Sequence, residues 1–143
     1  MAEMYIRFVC NQPHPTADAE LGMFAARDQF DFSGVRGSLQ RAHDETFYWF
    51  KKGGGAGLTY PRLTGRVRTS NIRKSLFWFK EGARFYNREA GSVVFRAREL
   101  GKVLTESGLE IREIKQKDPG KILWDDRVQV LAFPGTIKIA KAF

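Results

Sequence analysis

"GLEIREIKQKDPGKILWDDRVQVLAFP", residues 108–134, alternates apolar and polar side chains around two turn signals. Leu109 and Ile111 share one face of an extended segment, the period-two signature of a half-buried strand. "KDPGK" then reverses the chain by a defined route: Pro119 presets φ, and Gly120 accepts the positive φ of a type II turn. "KILW" is a second strand and Asp125-Asp126 a tight turn. "RVQVLAF" is a third strand, with Val128, Val130 and Ala132 alternating against Gln129 and Leu131. Strands over Leu109–Lys115, Lys121–Trp124 and Arg127–Phe133 predict an antiparallel meander.

Upstream, Ala83 to Leu104 reads as helix, with Val93, Val94, Ala97, Leu100 and Leu104 at helical spacing and a break near Gly91-Ser92. Gly108 closes it. "SLFWF", Ser75–Phe79, is a short buried strand. Leu39, Ala42, His43, Thr46, Phe47 and Phe50 form the stripe of another helix, which Gly53-Gly54-Gly55 would end. Tyr48 and Trp49 fall off that stripe, so one of them should be exposed. Tyr5–Cys10 alternates Tyr5, Arg7 and Val9 against Ile6 and Phe8, a strand pattern. After it, Asp18 is placed to cap a short helix carrying Leu21, Phe24 and Ala25. The expected architecture is therefore α+β. An antiparallel sheet of four to five strands carries two or three helices on one face, in a single domain over residues 1–143. A mobile Gly/Arg-rich loop is expected at about residues 52–73.

The chain has 143 residues, enough for one hydrophobic core, and its 13% aromatic content marks a folded protein. A single cysteine, Cys10, excludes an intrachain disulfide and a multi-cysteine zinc site. No secretory signal pattern opens the sequence, and no apolar run approaches the roughly 20 residues a membrane helix needs. A cytoplasmic protein without membrane partners is expected.

The net charge of +8 is distributed unevenly. Residues 1–50 sum to −3 and residues 89–143 to +2, whereas residues 51–88 carry ten basic and one acidic side chain. A block of that kind attracts polyanions. Arg62, Arg66, Arg68, Arg73, Lys74 and Lys80 are its candidate phosphate contacts, because guanidinium groups grip phosphate bidentately. Tyr60, Trp78 and Phe85 are candidate faces for unpaired bases, although the "FWF" triple reads better as core.

Other chemistries find little support. The glycines of "KKGGGAG" follow a helix and come after their lysines, the reverse of a phosphate-binding P-loop. Cys10, His14 and Asp18 could be drawn as metal ligands, but neither His14 nor His43 has a metal-site spacing. His43 reads as a hydrogen-bonded core histidine. Asp125 and Asp126 suit a hairpin turn, and no G-x-S-x-G nucleophile motif occurs. No catalytic residue, metal or cofactor is expected.

The elements "GMFAA", "SLFWFKEGA", "ARELGKVLTESGLEIREI" and "DPGKILWDDRVQVLAFP" resemble a family of small uncharacterised bacterial proteins. Those chains end in a Pro-Gly turn, an acidic turn and a "QVxAxP" hairpin. The resemblance is strongest from Glu99 to Pro134 and implies one compact domain, with no activity attached. The sequence thus points to a noncatalytic binding module for a polyanion, nucleic acid foremost and RNA ahead of DNA. A protein-interaction or adaptor module, homo-oligomeric and at its simplest a homodimer, is the alternative, and a small enzyme of undetermined reaction is the third.

Overall fold

A computed structural model of the chain describes residues 3–51, 69–82 and 93–143. Its strands are β1 (Tyr5–Pro13), β2 (Glu20–Gly22), β3 (Leu76–Lys80), β4 (Arg112–Gln116), β5 (Lys121–Asp125) and β6 (Gln129–Phe133). Its helices are α1 (Met23–Gln29), α2 (Gly37–Lys51), α3 (Thr69–Arg73) and α4 (Val93–Glu106). Every strand pairing is antiparallel, and the α+β architecture is the expected one.

β1 organises the sheet. Tyr5 faces Lys80 of β3 and Gln116 of β4, so those strands flank β1 on opposite sides. Val9 faces Gly22 of β2 and Arg112 of β4, which puts β2 on the same side of β1 as β3. β3 holds the first part of that edge and β2 the last. Pairing between β1 and β3 stops after Ile6↔Phe79, so the sheet is split beyond this point.

The predicted meander needs correcting. β5 and β6 form the expected hairpin, but β4 pairs with β1 along five consecutive residues. The turn itself has the expected geometry: Gly120 has φ +101°, and its N–H donates to Asp118 Oδ1 at 2.9 Å. A Cβ there would come within 2.3 Å of the Phe133 carbonyl oxygen, a second demand for glycine. The turn reverses the chain without pairing its two flanks. The edge of β1 provides a longer partner for β4.

Alternation assigns the two faces. Ile6, Phe8, Cys10 and Phe79 join buried residues of α1, α2 and α4 in the larger core. Val9, Leu76, Trp78, Ile114, Val130 and Ala132 form a second apolar layer, covered by Ala17, Ala19 and Ile139. α1, α2 and α4 therefore pack on one face, while connecting chain and the C-terminal tail cover the other. Glu20 ties that tail down, accepting the Ala142 and Phe143 N–H groups at 2.7 and 3.0 Å.

The α4 stripe matches its buried positions, with Leu100 and Leu104 fully buried, whereas in α2 the stripe residues His43 and Phe50 are buried and Leu39, Ala42, Thr46 and Phe47 are half-buried. Of the aromatic pair, Tyr48 is exposed. Trp49 is buried, with the Arg96 guanidinium 5.2 Å from its ring centre. His43 is a core residue as expected: Nε2 accepts from Arg27 Nε at 3.1 Å, and Nδ1 lies 3.0 Å from Asp44 Oδ1. Asp18 does not cap a helix. It pairs with Lys141, and α1 begins five residues later after Gly22, with Leu21 in β2. Thr69–Arg73, placed at the end of the loop expected at 52–73, is helical. Residues 52–68, the triple glycine among them, lie outside the described residues, as does the expected helical part at 83–92.

Candidate functional site

The split between β1 and β3 opens a cavity of about 440 Å³. That falls within the roughly 300–1,000 Å³ typical of small-molecule sites. One end is aromatic: Phe8 and Phe79 meet edge-on with ring centres 6.1 Å apart, and Phe24 stands edge-on to both Phe50 and Phe79. β1 and β3 supply Phe8 and Phe79 from the helix-facing side of the sheet. α1 and α2 bring Phe24 and Phe50 down onto them.

The other end is polar and lies where the strands part. Arg7 and Trp78 both line the cavity, and the Arg7 guanidinium carbon stands 5.6 Å from the Trp78 ring centre. Arg7 is 4% exposed and Trp78 is 1% exposed. Arg7 Nη2 donates to the Glu20 carbonyl at 2.7 Å. Arg7 Nη1 and Trp78 Nε1 are buried and make no hydrogen bond among the described residues. Burial lowers the Arg7 pKa to about 10, against the opposing pull of the nearby Glu20 charge. The group therefore stays cationic at neutral pH. Two buried donors without acceptors are costly, each forfeiting a hydrogen bond it would have made to water.

His14 lines the same cavity. Its Nδ1 accepts from the Thr16 and Ala17 N–H groups at 3.1 and 2.9 Å, which assigns the neutral ring's proton to Nε2. Burial lowers its pKa, and the Arg7 charge lowers it further. Cys10 is buried in the larger core, and burial raises its thiol pKa. Among the described residues, no group of three metal-ligating side chains converges. No described helix is long and apolar enough to cross a membrane.

The residues singled out for phosphate contact fall into three groups. Arg62, Arg66 and Arg68 lie outside the described residues, as do Tyr60 and Phe85. Arg73 and Lys74 are exposed at the end of α3, immediately before the cavity-lining Ser75. No carboxylate pairs with either among the described residues. Lys80 is committed elsewhere: its ammonium reaches Asp125 Oδ2 at 3.0 Å and the Asp126 carbonyl at 2.7 Å. Trp78 belongs to the core and offers no outer stacking face.

Sequence reasoning placed Arg7 correctly on the face shared with Tyr5 and Val9 but gave it no role. The available signal was an arginine alternating in phase with apolar residues on a strand, where burial forces the charge to find a purpose or a partner. No family model, curated protein or solved structure matches this chain.

Proposed function

We propose that the chain is a noncatalytic binding module for a polyanion, with nucleic acid as the ligand and RNA ahead of DNA. The observation that carries this reading is the concentration of charge: ten basic residues and one acidic residue between positions 51 and 88. Arg62, Arg66 and Arg68 supply contacts from that block. Arg73 and Lys74, exposed and clear of carboxylates among the described residues, extend them. Lys80 makes at most a long-range contribution, since its ammonium is already engaged.

Phosphate contacts release counterions, so affinity for a single-stranded oligonucleotide should fall steeply with salt. Replacing both Arg66 and Arg68 by Ala should reduce the slope of log K against log salt by about 1.4, at roughly 0.7 per lost contact on a single strand. Binding that is flat with salt, or unchanged in the double variant, rejects the reading. The protein-interaction alternative is favoured by Tyr48 and Phe95, exposed at 59% and 57%. Oligomerisation that rises with concentration and survives nuclease treatment would support it instead.

A further inference from the structure

We propose that the cavity at the split of the sheet is a binding site for a small organic carboxylate with an apolar body. This is independent of the polyanion reading, because the residues involved are buried and belong to the described core.

The argument starts from charge. Arg7 places one positive charge at the cavity's polar end, and its nearest acidic neighbour does not neutralise it through an ion pair. Glu20 gives Arg7 its backbone carbonyl, while both carboxylate oxygens accept backbone N–H groups from the C-terminal tail. The Arg7 guanidinium therefore retains its charge and an Nη1 amino group with neither N–H satisfied among the described residues. Trp78, whose ring centre lies 5.6 Å from the Arg7 guanidinium carbon, adds a further unsatisfied donor, Nε1. Two donors without acceptors call for a ligand that brings acceptors and no donors. A carboxylate offers two acceptor oxygens and a single negative charge, matching the Arg7 cation. A phosphate dianion would leave a surplus buried charge.

The body of the ligand follows from the rest of the lining. Phe8, Phe24, Phe50 and Phe79, with Leu21 and Met23, are its apolar part, while His14, Ser75 and Gln129 add polar groups to the lining. The phenyl and aliphatic surfaces reward an aliphatic chain or an aromatic ring over a sugar. Both orphan donor atoms are shut off from solvent, so the ligand reaches Nη1 only as the Arg7 guanidinium turns toward the cavity on its entry. The ligand then satisfies donors that the fold alone leaves unsatisfied.

Octanoate, 1-octanol and octylammonium test this by thermal shift and tryptophan fluorescence on the full chain. Octanoate should raise Tm and perturb the fluorescence. Octanol should bind on the order of 10- to 100-fold more weakly, the usual worth of a hydrogen bond to a charged group. Octylammonium should be excluded. Arg7→Met should reduce octanoate affinity to the level of octanol and leave octanol binding unchanged. Octanoate affinity should also vary little with salt, because a buried pair is poorly screened. That behaviour separates this site from polyanion binding and from adsorption to surface arginines.

Equal affinity for octanoate and octanol overturns the proposal, as does the absence of octanoate binding or full retention of it in Arg7→Met. Competition by inorganic phosphate at matching concentration rejects the choice of carboxylate. Should Arg7→Met fail to fold, the wild-type comparison of the three probes decides the matter, with Trp78→Phe as a second variant expected to weaken octanoate alone.

Discussion

At the scale of single residues, His14 links a protonation state to the rim of the cavity. Its Nδ1 accepts two backbone N–H groups, and the adjoining Thr16 hydroxyl donates to the Arg73 carbonyl. The turn at residues 14–17 is thereby fastened to the end of α3, next to the exposed Arg73 and Lys74. Protonating Nδ1 would destroy its acceptor lone pair and loosen that fastening. The folded-state pKa is lowered, first by burial and then by Arg7. The unfolded chain therefore binds the proton more readily, and the stability His14 contributes is present above its ordinary pKa of about 6.5 and is lost as pH falls. Asn places a permanent acceptor near the position of Nδ1 and cannot titrate. Thermal melts between pH 7.5 and pH 5 should show wild type losing more Tm than His14→Asn. Parallel curves would show that the His14 acceptor is not pH-sensitive.

At the scale of elements, strands whose alternation is local were legible and pairing between distant strands was not. β5 and β6 announce themselves because Val128, Val130 and Ala132 repeat at period two beside a two-aspartate turn. Asp126 performs as its position suggested, accepting the Val128 and Gln129 N–H groups at 2.8 and 2.9 Å. β4 was found, but its partner was assigned by proximity in sequence. Its attachment to β1 is reinforced by tertiary contacts that no local pattern carries. One is the two-pronged Arg98–Glu113 ion pair from α4, at 2.7 and 2.9 Å. β2 was missed because Glu20–Gly22 is too short to show a period. The same short strand creates the split, since it occupies the edge of β1 that β3 leaves. The cavity is thus a product of topology, legible only once β1 and its three partners are placed. Lys80 illustrates how pairing reassigns a charge. Its place in a basic block suggested phosphate contact, yet β3 lies beside β6 and brings the ammonium to Asp125 and Asp126. The Asp125 carboxylate is 55% exposed, so the ion pair should contribute no more than about 1 kcal/mol. Lys80→Ala should lower stability in denaturant melts by an amount of that order and leave the salt slope of oligonucleotide binding unchanged. A reduced slope would return Lys80 to the phosphate-binding set.

At the scale of the whole molecule, two kinds of positive charge have different physical consequences. The charges of residues 51–88 raise the potential around the molecule and respond to ionic strength. Arg7 is a single charge inside the fold, where its cost is desolvation. Replacing it by Met tests whether the fold needs it. The variant loses the hydrogen bond to the Glu20 carbonyl and the contact with Trp78. It also removes a buried cation and its unsatisfied Nη1. Replacing buried charges by apolar groups of similar volume is often neutral or stabilising, whereas leaving the Glu20 carbonyl without a partner costs about 1–3 kcal/mol. These terms oppose one another, so Arg7→Met should change unfolding free energy by no more than about 1 kcal/mol. The fully buried Leu104 provides the internal scale, since Leu104→Ala should cost about 2–5 kcal/mol. Denaturant melts of the two variants compare them directly. An Arg7→Met loss as large as that of Leu104→Ala would make Arg7 a structural necessity. A near-neutral result would mean that the fold carries a buried charge it does not require, which is the expected signature of a residue kept for a ligand.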